Sequence, residues 1–224
     1  MKNRTFDLIV YGATSFVGQI LTRYLFEHIG VGGKVNWAIA GRSEKKLSVL
    51  KSSLGSNADS LSVIVADASD EVALTTMCQS ARVIVSTVGP YALYGEPLVK
   101  ACAENGTDYC DLCGEAYWIK AMILKYSDAA KASGARIVSC CGFDSIPSDL
   151  GVHFLQRQGK QRFGKYFDNI KLAVNTMKGG ASGGTLVSMI EAVKAVKRDP
   201  KLRKEMNNPY ILCPENKELC HPQV

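Results

Sequence analysis

No run of apolar residues in this 224-residue chain is long enough to span a bilayer, and no charged, apolar and small-residue leader precedes the first strand pattern. A protein of the cytoplasm is expected, with association with a membrane or lipid surface left open. The chain also lacks an aromatic-interleaved basic stripe. Its 27 lysines and arginines exceed its 21 acids to give a net charge of +6, but they are scattered. That balance suits a small anionic ligand better than nucleic acid, and no nucleic-acid partner is expected. Eight cysteines in a leaderless chain of this size are expected to be reduced thiols. Cys110-Asp111-Leu112-Cys113 has redox or metal spacing, yet no second Cys-x-x-Cys follows, and Cys110 lies in a strand pattern that suits a packed thiol. Cys140-Cys141 end a strand pattern, and Cys213, Cys220 and His221 lie in a polar tail, so no metal site is expected. Internal repeats and low-complexity linkers are absent too.

The first 43 residues hold a dense local signal. Phe6-Asp7-Leu8-Ile9-Val10-Tyr11 reads as an apolar strand, and Gly12-Ala13-Thr14-Ser15-Phe16-Val17-Gly18 as a tight turn entering a helix. Gly12 lets the chain reverse, Gly18 removes a side chain where helix and strand pack closest, and free backbone N–H groups between them can cradle a pyrophosphate. Ser15 stands where the usual fingerprint has its middle glycine, so the turn alone is also compatible with an ordinary reversal. The next strand, Val35 to Ala40, runs into Gly41-Arg42-Ser43. A guanidinium replaces the carboxylate that would hold a ribose 2′-hydroxyl, so a 2′-phosphate fits and NADP(H) is expected over NAD(H). No carboxylate stands at that strand end to repel the phosphate. Arg42 could instead be a solvated strand-end residue, and Lys45 and Lys46 could assist it or only face solvent.

With 46% apolar and 21% charged residues, the chain can bury a real core. Helix over 44–54, strand 61–65, helix 70–79, strand 82–86, helix near 95–105, strand 108–111, helix 115–132 and strand 135–140 follow in turn. The fold class is therefore α/β, a Rossmann doubly wound parallel sheet over residues 1–150, with its ligand at the carboxyl ends of the strands. Asp67 follows the third strand and can reach an adenine amino group or cap a helix. Val88-Gly89-Pro90 follows the fourth, where low side-chain bulk lets backbone approach the nicotinamide ribose, unless it is a plain turn. Tyr94, Asp111, Glu115, Asp144 and Ser145 are the polar candidates for chemistry at the substrate end, although structural hydrogen bonding suits each as well.

Taken together, Gly12–Gly18, Ala40–Ser43, Val88–Tyr91, Tyr94–Pro97, Asp111–Glu115 and Gly142–Asp149 resemble the saccharopine dehydrogenase-like oxidoreductases, a family that includes the trans-acting enoyl reductases of lipid biosynthesis. The resemblance implies an NADP-type cofactor, a small-molecule substrate and a second α+β domain for substrate or dimerisation. Residues 151–224 are read as the start of that domain, truncated relative to the longer family members, with a strand at Ile170–Thr176 and Gly179–Thr185 opening a helix. Hydride transfer from NADPH to an unsaturated, lipid-like enoyl substrate is expected, because no arginine clamps suggest a multi-carboxylate amino acid. A saccharopine-type C–N dehydrogenase, a non-enzymatic NADPH sensor and a homodimer are left open. The glycine turn is also similar to that of extended short-chain dehydrogenases, but none of the nine tyrosines has lysine four residues on, which disfavours their mechanism.

Overall fold

A computed structural model describes residues 4–176, 178–180, 183–208 and 210–213. Strands Phe6–Tyr11 (β1), Trp37–Gly41 (β2), Ser62–Val65 (β3), Ala81–Ser86 (β4), Asp108–Asp111 (β5) and Ile137–Val138 (β6) pair in parallel in the order β3-β2-β1-β4-β5-β6. Registers such as Val10↔Ile39 and Val10↔Val85 place the carboxyl ends of β1, β2 and β4 side by side. The order reverses between β1 and β4, which opens the crevice where doubly wound sheets bind ligands.

Helices Phe16–His28 (α1), Glu44–Ser53 (α2), Glu71–Ser80 (α3), Tyr91–Tyr94 (α4), Glu96–Asn105 (α5) and Ala116–Ser133 (α6) link the strands. They cover both faces of the sheet. Val10, Trp37 and Ile39 pack with Leu25, Leu47 and Leu50 of α1 and α2 on one face. Ile9, Tyr11, Ala38 and Ala40 pack with Leu74, Leu98, Cys102 and Trp118 of α3, α5 and α6 on the other. Burial on both faces explains why these strands read as continuous apolar runs. Ser15, Ser43 and Asp70 cap α1, α2 and α3 through their side chains, each satisfying helix N–H groups that lack an intrahelical partner.

Two expectations are corrected, and one helix is added. The strand expected over 135–140 is only Ile137–Val138, because Cys140 turns into the left-handed region at φ 63° and Asp111 takes both following amides. Its carboxylate accepts from Cys140 N–H at 3.2 Å and its carbonyl from Cys141 N–H at 2.7 Å. Ile170–Thr176 is irregular and mostly exposed, since no described strand lies beside it to complete a ladder. The helix Ile146–Phe163 (α7) was not expected and runs through residue 150, where the two regions were divided. Beyond it stand Gly183–Arg198 (α8), opened by the second glycine cluster, and Pro200–Met206 (α9). Ala181 and Ser182 of that cluster, and Cys220 and His221 of the tail, lie outside the described residues. Among the described residues no helix is long and apolar enough to cross a membrane.

Candidate functional site

The turn after β1 is built by steric exclusion. Gly12 has φ 85°, and a Cβ there would meet Val88 Cγ2 at 2.7 Å and Thr87 Oγ1 at 2.8 Å. A Cβ on Gly18 would lie 2.2 Å from the Gly12 carbonyl oxygen and 2.8 Å from Ala13 Cα. No larger residue fits either place without moving backbone. The N–H groups of Gly12 and Ala13 donate to Ala40 O, that of Ser15 to Gly12 O, and that of Gly18 to Ser15 Oγ. Thr14, Phe16 and Val17 N–H have no acceptor among the described residues. These three donors stand at the N-terminus of a 13-residue helix, where the helix dipole and free amides favour an anion. Ser15 does the work left by the missing middle glycine: its hydroxyl donates to Thr87 Oγ1 at 3.0 Å, and Thr87 Oγ1 donates to Gly12 O at 2.9 Å. Thr87 was not among the expected site residues. Its position directly after β4 was the available signal.

At the end of β2, Gly41 is buried while Arg42 is exposed and forms no hydrogen bond or ion pair among the described residues. Ser43 caps α2, accepting from Lys46 N–H at 3.4 Å. Asp67, beyond β3, does not cap α3, a task that falls to Asp70. Its carboxylate accepts from the hydroxyl and amide of Ser69 at 2.6 and 2.9 Å, and these bonds, with Arg42 nearby, hold its pKa below the usual aspartate value. A carboxylate therefore does stand near Arg42, just beyond the neighbouring strand, and leaves the guanidinium unpaired. A free arginine with an acidic neighbour at this strand end can take a phosphate in a bidentate grip.

The turn after β4 lies on the other side of the reversal. Gly89-Pro90 is a cis peptide, and a Cβ on Gly89 would make only ordinary contact, with Tyr91 Cε2 at 3.7 Å. The fold does not demand glycine there. Gly95, by contrast, sits between α4 and α5 where a Cβ would meet Trp118 Cζ2 at 2.6 Å and Tyr91 O at 2.8 Å, a requirement that the sequence did not announce. Glu115 holds the whole turn. Its buried carboxylate accepts from Tyr91 N–H at 3.1 Å and Ala92 N–H at 3.0 Å, and so caps α4 directly behind Gly89-Pro90.

A cleft of about 550 Å³ opens from the glycine turn and β4 toward α8 and α9. Ser15, Phe16, Val17, Thr87 and Gly89 form its cofactor-side wall, and Leu112, Tyr117, Ser188, Met189, Ala192 and Met206 stand among its other lining residues. Among the described residues no lysine, arginine or histidine lines it. Two of the five polar candidates reach it. Glu115 is buried within it and Asp144 is exposed at it. Asp111 is buried beneath, accepting from Tyr109 Oη at 2.7 Å, Cys113 N–H at 3.0 Å and Ser139 Oγ at 3.3 Å as well as from Cys140. Burial raises its pKa against the pull of those donors. Tyr94 ends α4, half-exposed, and Ser145 begins α7; neither lines the cleft. Tyr117, missed in the sequence, does line it. Its hydroxyl donates to Glu115 Oε2 at 3.4 Å, and burial followed by that carboxylate push its pKa up to about 12.

A glycine turn of this build at the switch point of a 3-2-1-4-5-6 sheet, with a free arginine on the adjacent strand, defines a Rossmann dinucleotide-binding protein. Residues 8–138 match the family model of the saccharopine dehydrogenase NADP-binding domain. The chain belongs to that family, and its cofactor is NADP(H). It is 42% identical over 212 residues to a Mycobacterium tuberculosis protein whose name gives it provisionally as a trans-acting enoyl reductase, covering 95% of this chain and 50% of that protein. It is 40% identical over 210 residues to a trans-acting enoyl reductase of Mycobacterium ulcerans, covering 93% of this chain and 50% of the relative. The chain thus spans about half the length of the curated relatives it matches. Apo saccharopine dehydrogenase (L-Glu forming) from Saccharomyces cerevisiae is similar at 18% identity and a TM-score of 0.49, covering 69% of this chain and 32% of that one.

Proposed function

We propose that this chain is the cofactor half of an NADPH-dependent reductase acting in the cytoplasm on an uncharged, lipid-like enoyl substrate. The observation that carries the reading is the cleft beside the cofactor turn, walled by Phe16, Val17, Leu112, Met189 and Met206 and lined by no cationic side chain among the described residues. A saccharopine-type substrate carries several carboxylates, and burying them without arginine or lysine partners would be costly. An acyl chain suits such walls. The names of the mycobacterial relatives agree with this choice.

In this reading Thr14, Phe16 and Val17 N–H hold the pyrophosphate, Arg42 with the first turn of α2 holds the 2′-phosphate, and Gly89-Pro90 meets the nicotinamide half. Bound NADPH supplies the hydride. The chain's own part is to fix the ring side of the cofactor through Glu115 and to keep water from the reacting carbon with the apolar wall. Helices α7, α8 and α9 are proposed as the start of a substrate domain that the rest of a longer protein completes. Supporting this are the exposed apolar side chains of α7 and α8, among them Phe154, Leu186 and Ile190, and the double length of the relatives.

The test is NADPH oxidation by full-length protein against trans-2-enoyl thioesters and against imines of amino acids. Turnover of the thioesters alone is expected. Turnover of the imines alone would assign the C–N chemistry instead, and tight NADPH binding with turnover of neither would make the protein a sensor.

A further inference from the structure

Glu115 bonds more than the turn it caps. The same carboxylate oxygen that accepts from Tyr91 N–H also accepts from Ser188 Oγ of α8 at 3.1 Å, across 73 residues of sequence. The other oxygen accepts from Ala92 N–H and Tyr117 Oη. One buried carboxylate therefore joins three parts: the α4 N-terminus directly behind the Gly89-Pro90 turn, the start of α6, and a helix that walls the cleft's far side. Ser188 thus ties α8 to the sheet-bearing part by a side-chain hydrogen bond, on a helix whose residues are half-buried at most. A polar contact therefore takes part in placing α8, beside half-buried side chains such as Ala192 and Val196.

We infer that Glu115 is a positioning residue that clasps α8 to the cofactor turn, so that filling the nicotinamide side of the site orders the substrate wall. A carboxylate with four donors is satisfied only while Tyr91 and Ala92 present their amides in register, which requires the turn to be in place. When the turn shifts, the oxygen that Ser188 shares with Tyr91 shifts with it. A cofactor seated against Gly89 restricts that motion, and α8 then closes on an ordered anchor. The coupling runs both ways, because a clasp that tightens α8 on cofactor binding tightens cofactor binding when α8 is held. Glu115 itself takes no proton from substrate in this account. Its function is to make the two walls of the cleft respond together.

This inference rests on the reading of the site as an NADPH site with its substrate wall at α8, but its test needs no substrate. Hydrogen–deuterium exchange is followed in peptides covering residues 183–198, with and without NADPH, in the wild-type chain, Ser188→Ala and Ser188→Thr. NADPH is expected to slow exchange in α8 of the wild type by about fivefold or more, with the slowing lost in Ser188→Ala and restored in Ser188→Thr. Equal slowing in Ser188→Ala would overturn the clasp, as would a wild-type α8 that ignores NADPH while residues 12–18 respond. Failure of the enoyl reading shows separately, as absence of thioester turnover with α8 still responding to NADPH.

Discussion

Single atoms decide the cofactor turn. A methyl on Gly18 would stand 2.2 Å from the Gly12 carbonyl, so Gly18→Ala is expected to displace α1 and cost about 1–3 kcal/mol of stability. Thermal melts and NADPH titration of the folded fraction check this, and a variant with both properties unchanged would show that α1 has room to move. Asp111 gives a second test at this scale. Burial lifts its carboxyl above the ordinary 3.8, so the folded chain holds the proton more tightly than the unfolded chain. That contribution to stability is complete below pH 3.8 and shrinks as pH rises through the raised value. Wild type should therefore lose melting temperature relative to Asp111→Asn as pH rises across that window. A gap that widens in favour of wild type would contradict the assignment. Residues of this kind divide by legibility. Gly12 and Gly18 were readable because only backbone geometry permits them, and Arg42 because it replaces an acid at a known strand end. Thr87, Tyr117 and Ser188 were not, since a hydroxyl gains its partner only when distant segments meet.

At the scale of elements, the two glycines flanking α4 make opposite predictions. Gly89→Ala meets only ordinary contacts and should melt near wild type while weakening NADPH binding, if the turn touches the cofactor. Gly95→Ala drives a Cβ into Trp118 and should lose about 1–3 kcal/mol of stability. Unaltered NADPH affinity in folded Gly89→Ala would remove that turn from the site. The strands through β4 and the helices α1 to α3 followed the sequence closely because the apolar strands are buried on two faces and these helices begin at Ser15, Ser43 and Asp70 caps. The errors arose where tertiary bonds took over. Asp111 pulls the chain out of β6, and Ile170–Thr176 has strand composition without a neighbouring strand. The sequence signals of α7 are Pro147 and Asp149 in its first turn, then Lys160 and Arg162 before Gly164 in the left-handed region.

The molecule as a whole is uneven. The sheet and its helices bury two apolar layers, whereas α7 buries only Gly159 and α8 no residue at all. Limited proteolysis should cut first in the exposed, irregular stretch after Gly164 and leave the sheet intact; first cuts between β1 and β5 would reverse that ranking. The enoyl chemistry is a proposal about substrate, whereas the cofactor claim can be tested on this chain directly. Wild type and Arg42→Ala are titrated with NADPH and with NADH. Loss of the charge-assisted bonds to the 2′-phosphate should cost about 1.5–3 kcal/mol, roughly a 10- to 150-fold drop in NADPH affinity, with NADH binding nearly unchanged. An equal drop for both cofactors would show that Arg42 supports the fold or the shared dinucleotide, and the reading of this strand end as a 2′-phosphate site would be wrong.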